Sequence, residues 1–219
     1  LCPLPAEAKI VRTELEAQGY SSAKFHDGFF FPELGVLLHA SGHGKVQTAL
    51  TTQRLFIEIP TLQVALLLGT SGALTPELRP GDVVFGESTI EHDFRMIFLS
   101  RPLPQFRSAI GLPEGLSFEG FQCVRGAIAS GDEDVVSIDR ARELFETTRA
   151  LVVAWEGAGF ARASLACRKP FLEIRVVTDS ADHLATDQFR QHLQSSLRNG
   201  TKVFLALHCS GPLGKFSNN

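Results

Sequence analysis

Apolar residues recur at helical spacing over 6–18 (AEAKIVRTELEAQ), and the pattern stops before Gly19. Over 24–40 the pattern is that of a hairpin pair, with Asp27-Gly28 as its turn signal and Gly35-Val-Leu-Leu-His39 as a second short strand. A helix is predicted over 45–57. The run at 63–68 is continuously apolar, which predicts a strand buried on both faces. Strand patterns return at 82–90, 124–129, 150–154 and 171–178. Three more helices are interleaved with them. The segment 137–147 opens on a serine, carries Asp139, Arg140 and Glu143, and reads as a capped helix. The segment 156–167 is rich in small residues and predicts a buried helix. The segment 186–208 is long and amphipathic, opened by Thr186 and Asp187. Between 94 and 122, Pro102, Pro104 and Pro113 interrupt any period and predict a long irregular connection. This alternation predicts one α/β domain over 1–219, a central twisted mixed β-sheet with helices on both faces.

Composition narrows the partners. The chain has 219 residues, 44% hydrophobic and 21% charged, with a net charge of −3. This excludes disorder, collagen and coiled coil for the chain as a whole. No apolar run approaches the roughly 20 residues that span a bilayer. A mildly acidic balance offers no footprint for nucleic acid or an anionic membrane. Cys2, Cys123, Cys167 and Cys209 are far apart and form no C-x-x-C pair, so no metal site is expected. Reduced, mostly buried thiols in a cytoplasmic protein are the expectation. No signal peptide is visible, and Leu1-Cys2-Pro3-Leu4-Pro5 reads as the end of a strand.

Candidate chemistry sits in turns and at strand ends. Ser41-Gly42-His43-Gly44-Lys45 follows a strand and opens a helix, where backbone N–H groups can hold an anion or a ligand hydroxyl. It is neither a Walker A motif nor a dinucleotide fingerprint. A tight turn without a ligand fits it equally well. Gly69-Thr70-Ser71-Gly72 ends the most buried strand, the edge where ligands sit in open α/β sheets. Glu156 and Asp179 follow apolar runs, so partial desolvation is expected to raise their pKa and suit general acid chemistry. Arg175 lies within the same buried strand as Asp179 and needs an anionic partner. A helix-capping Asp179 and a structural ion pair are the plainer alternatives. For Glu7 the plainer alternative is a first-turn glutamate answering a helix dipole.

The ordered set of motifs resembles the purine nucleoside phosphorylase/nucleosidase superfamily, and within it the 5′-methylthioadenosine/S-adenosylhomocysteine nucleosidase type. Seven stretches carry the resemblance: Pro3–Glu7, Ser41–Val46, Gly69–Leu74 with Pro80–Val84, His92-Asp93, Ala129–Asp132, Trp155-Glu156 and Arg175–Asp182. The resemblance implies a nucleoside phosphorylase-like fold and hydrolysis of a purine N-glycosidic bond without cofactor or metal. It implies Asp179 as the acid protonating purine N7, and Glu7 with Arg175 handling the attacking water. Glu156 is implied to grip the ribose hydroxyls. Trp155, Thr70, Ser71, Gly72, Val135 and Thr178 are implied to line the pocket. A homodimer is implied, and Phe94, Met96, Ile97, Phe98 and Leu99 fit its surface.

The chain departs from the family pattern at Asp134, where an aromatic residue is usual, at Ala154, where a glutamate is usual, and at Trp155, where a methionine is usual. These leave the base and the 5′ substituent open. Phosphate as nucleophile is disfavoured, because the first segment lacks Gly-Asp-Pro-x-x-Arg and the turn after the central strand lacks Arg. A phosphorylase and a non-catalytic nucleoside-binding protein on the same fold are the alternatives. If Glu7 is the first-strand glutamate of the family, a few strand residues are expected to precede Leu1.

Overall fold

In the computed structural model, the described residues are 1–94, 98, 101–111, 116–210 and 213. Helix α1 (Pro5–Ala17) is followed by three short strands, β1 (Ala23–Phe25), β2 (Gly28–Phe31) and β3 (Val36–Leu38), and by α2 (Gly44–Glu58). Strands β4 (Ala65–Ala73), β5 (Val83–Glu91), β6 (Gln105–Arg107) and β7 (Cys123–Ser130) come next. The chain continues as α3 (Ile138–Thr148), β8 (Val152–Ala154), α4 (Gly157–Ala166), β9 (Phe171–Asp179) and α5 (Ala185–Ser210).

The main sheet is mixed, with strand order β6-β5-β7-β8-β4-β9. It also closes on itself, because β9 pairs antiparallel with β5 through Val83↔Val176, Val84↔Arg175 and Phe85↔Ile174. Closure leaves β9 buried at all nine positions. Successive side chains of a strand point to opposite faces. Leu68 accordingly packs with Val11 and Leu15 of α1 and Leu197, Val203 and Leu207 of α5, while Leu67 packs with Phe56 of α2 and Phe160 of α4. That double burial is what the continuous apolar run predicts, and helices do cover both faces.

Three boundaries differ from expectation. The predicted hairpin pair is a three-stranded meander, β1-β2-β3, turning at His26-Asp27 and again at 32–35. Asp27-Gly28 is a poor guide here because Gly28 already pairs with Phe25 as a strand residue. The second turn closes through Gly35 N–H on Pro32 O, with Gly35 at φ 62°. Strand β4 runs on through Gly69–Ala73, where small residues suggest a turn, because β9 and β8 give it partners on both sides. Finally, β6 lies inside the segment expected to be irregular, held on the rim of β5. Met96, Ile97 and Leu99 lie outside the described residues. Phe94 is 44% and Phe98 97% exposed. Only Cys2 among the four free thiols is fully buried, and Cys209 is exposed.

Candidate active site

The strand ends converge on one cavity of about 360 Å³. Its walls include Glu7, Thr70, Ser71, Gly72, Val135, Trp155, Glu156, Thr178 and Asp179. Topology brings these distant residues together. Strands β4 and β9 run parallel, and both end at the cavity. Their register slips between Ser71 and Gly72, so that Ser71 pairs with Val177 and Gly72 with Asp179. The bulge at Thr178 re-aims the end of β9. Strand β8 runs antiparallel to β4, with Val153 opposite Gly72, so its exit carries Trp155 and Glu156 back beside Thr70.

Asp179 is held by two donors. Thr178 Oγ1 donates to Oδ2 at 2.8 Å, and the Ala181 N–H donates to Oδ1 at 3.0 Å. Ala181 has φ 49°, a left-handed conformation that costs a non-glycine residue about 1 kcal/mol or more and is typical of functional turns. Gly72 is required opposite: a Cβ there lies 2.8 Å from Asp179 Oδ1 and 3.0 Å from Ala181 Cβ. Burial raises the pKa of Asp179 above the ordinary carboxylate value, and Asp182 adds to the rise, against the two hydrogen bonds. Asp179 does not cap α5. That helix opens beyond Asp182, whose own carboxylate accepts the Leu184 N–H.

Glu7 is fully buried in the first turn of α1 and faces two ways. Oε2 accepts the Leu4 N–H at 2.9 Å, the local role of a first-turn glutamate. Oε1 accepts both the Thr70 N–H at 2.9 Å and the Thr70 hydroxyl at 2.7 Å. With four acceptor positions per carboxylate, Oε2 keeps one for a cavity ligand. Burial also raises the pKa of Glu7, against the donors at Leu4 and Thr70 and the nearby Arg175.

Arg175 does not line the cavity; the structure sets it behind the wall. Its side chain is 1% exposed, and no hydrogen bond joins it to Glu7 among the described residues. Nε donates to Glu173 Oε1 at 2.7 Å, Nη1 to Thr70 O at 3.1 Å and Nη2 to Glu156 Oε2 at 3.1 Å. Arg175 therefore reaches Glu7 through Thr70, whose carbonyl accepts from the guanidinium and whose N–H and hydroxyl donate to the carboxylate. Glu173 is itself buried and accepts the Thr89 hydroxyl.

The Ser41–Lys45 turn holds the protein's own carboxylates. Gly44, at φ 84°, donates its N–H to Glu156 Oε1 at 3.3 Å, and the Lys45 N–H donates to Asp132 Oδ1 at 2.9 Å. Lys45 Nζ pairs with Asp93 at 2.6 Å and Glu91 at 3.1 Å. The helix N-terminus thus fixes Glu156 from one side while Arg175 fixes it from the other. His43 and Phe189 are among the wall residues that escaped sequence reasoning as ligand contacts. His43 packs edge-on against Trp155 with ring centroids 4.2 Å apart, and Phe189 reaches in from α5. His43 was visible in the glycine turn, whereas Phe189 carries no local signal. No Lys or Arg lines the cavity, and no cluster of three metal-ligating side chains occurs among the described residues.

The raised pKa of Asp179 has a stability consequence with a definite sign. The folded state holds this proton more tightly than the unfolded chain, so an ionised Asp179 costs stability above its raised pKa. That cost disappears as pH falls through the raised value toward the ordinary carboxylate range. Asp179→Asn is therefore expected to raise the thermal midpoint at pH 8. The gain should shrink on acidification, as followed by circular dichroism melts. A variant less stable than the parent at pH 8 contradicts this reading.

The chain is similar over nearly its whole length to known proteins. A 5′-methylthioadenosine/S-adenosylhomocysteine nucleosidase from Pseudoalteromonas translucida is 28% identical, with 92% of each chain covered. An aminodeoxyfutalosine nucleosidase from Helicobacter pylori is also 28% identical, covering 84% of this chain and 83% of that one. Among solved structures, the 5′-methylthioadenosine/S-adenosylhomocysteine nucleosidase of Neisseria meningitidis in complex with methylthio-immucillin-A superposes with a TM-score of 0.78. The two are 27% identical, with 93% of this chain and 94% of that chain covered. The family model of the phosphorylase superfamily matches residues 1–208, and the chain belongs to that superfamily.

Proposed function

We propose that this chain hydrolyses the N-glycosidic bond of a purine nucleoside, of the kind on which the nucleosidases similar to it are named. The observation that carries the proposal is the convergence of Asp179, Glu7 and Glu156 on one cavity, with burial raising the pKa of the first two. Asp179, whose hold on its proton burial strengthens, donates it to purine N7, so the base departs neutral. Glu156, fixed by Arg175 and the Gly44 N–H, accepts from ribose hydroxyls and orients the sugar. The free acceptor position of Glu7 Oε2 receives a proton from the water that attacks the anomeric carbon. The carboxylates nearby stabilise the oxocarbenium character that develops there. Thr70 and Arg175 act through Glu7 and Glu156 and touch no reacting atom.

The assembly proposed is a homodimer. Helix α2 presents Val46, Leu50 and Ile57 to solvent at helical spacing, 67%, 58% and 67% exposed, and Leu165 of the adjacent α4 is 51% exposed. Such an apolar stripe is unusual on a free surface. Four free thiols fit a reducing compartment such as the cytoplasm.

Incubation with 5′-methylthioadenosine, S-adenosylhomocysteine, adenosine, inosine and aminodeoxyfutalosine, with free base resolved by chromatography, tests the chemistry. Base release from at least one is expected, and Asp179→Asn should lower kcat by about 10²–10⁴-fold. Full activity in that variant sinks the role of Asp179, and saturable binding without release favours a non-catalytic protein. Sedimentation should give twice the chain mass of 23.9 kDa, falling to the single mass in Leu50→Glu. A monomeric parent protein contradicts the dimer.

A further inference from the structure

His92 is buried, yet neither of its ring nitrogens has a hydrogen-bond partner among the described residues. Buried polar groups are paired in the large majority of cases, so this imidazole needs a reason. It directly follows β5, its side chain is 1% exposed, and its backbone N–H donates to Ser130 O at 3.0 Å. The ring fills the space beneath Gly131. A Cβ on that glycine would collide with Nε2 and lie 3.0 Å from the Asp93 carboxyl carbon. Gly131 opens the segment 131–136, and that segment's Glu133, Asp134, Val135 and Val136 all line the cavity.

His92 Nδ1 lies 3.9 Å from Glu133 Oε2, beyond hydrogen-bond length but within reach of a small shift. Glu133 is meanwhile held by Arg140 of α3, Nε to Oε1 and Nη2 to Oε2, both at 2.7 Å. The charged groups facing the imidazole are Asp93 beside it, Glu133 from the segment, Arg140 from α3 and Lys45 from α2. Glu91, just before it, is taken by Lys45 and Arg162.

We propose that His92 is a positioning residue for the 131–136 wall, whose charge state sets the shape of the cavity. Neutral, it supports Gly131 and leaves Glu133 on Arg140. Protonated, its Nδ1–H gains a charged acceptor in Glu133 and draws that carboxylate about 1 Å inward, to the length of a charge-assisted bond. The residues after Glu133 move with it. Burial opposes charging of the ring and lowers its pKa, with Arg140 and Lys45 in the same sense and Asp93 and Glu133 against them. The neutral wall is therefore the form at neutral pH, and the change falls on the acid side of the ordinary imidazole range. The two arrangements differ in one proton and one hydrogen bond, the usual content of a histidine switch.

The chain carries a single tryptophan, Trp155, on the cavity wall, with its carbonyl held by Ser130 Oγ at 2.7 Å. Its fluorescence reports on this wall without any substrate, so the result does not depend on whether the protein hydrolyses nucleosides. His43 touches Trp155, so the titration is run in a His43→Gln background. A one-proton inflection below about pH 6.5 is expected there. It should vanish when His92→Gln is added. With Glu133→Gln instead, which keeps the ring and removes the charged acceptor, it should shrink and move to lower pH. The proposal is overturned by an inflection unchanged in both variants, by none in the background protein, or by one coinciding with loss of far-ultraviolet circular dichroism.

Discussion

One buried guanidinium holds this site together. Arg175 is buried behind the cavity, and two of its three partners, Glu156 and Thr70, belong to different walls of it. Through Glu156 it fixes the end of β8 and, by way of the Gly44 N–H, the start of α2. Through the Thr70 carbonyl it fixes the residue whose N–H and hydroxyl hold Glu7. Through Glu173 it reaches β5 at Thr89. A buried charge network of this kind rarely adds net stability, because desolvation offsets the attraction. Its value here is positional: carboxylates from three separate elements are held at one place before any ligand arrives.

The same arrangement fixes the chemistry available. Glu7, Glu156 and Glu173 surround a single guanidinium, and Asp179 and Asp134 extend the acidic lining with no Lys or Arg facing the cavity among the described residues. Burial resists this excess of negative charge by raising the pKa of Glu7 and Asp179. A raised pKa suits Asp179 to act as a general acid and makes Glu7 a stronger proton acceptor, so the electrostatic cost of the site and its proposed activity have one origin. The strained turn at Ala181 and the bulge at Thr178 belong to the same cost, since both serve to aim Asp179.

Much of this was legible in the sequence, for a physical reason. Charged residues at the ends of strongly apolar strands have few places to go except a strand-end cavity, and Glu156 and Asp179 follow that rule. The double burial of β4 was legible from Leu66–Leu68. What escaped depends on pairings between distant segments. The glycines and small residues of 69–73 become strand only because β8 and β9 flank them. The Ser41–Lys45 turn looks like an anion site, yet its N–H groups are occupied by Glu156 and Asp132, more than 80 residues away. Arg175 belongs behind the wall because sheet closure puts β9 against β5. Phe189 lines the cavity through the packing of α5, which no local pattern encodes.

The account's central claim is that this carboxylate-lined cavity admits water, not phosphate, to the anomeric carbon. Phosphorus-31 nuclear magnetic resonance of a turnover mixture containing excess phosphate tests it most directly. The account predicts base release at the rate seen without phosphate and no sugar phosphate resonance. Stoichiometric sugar 1-phosphate, formed at a rate that depends on phosphate, would contradict it.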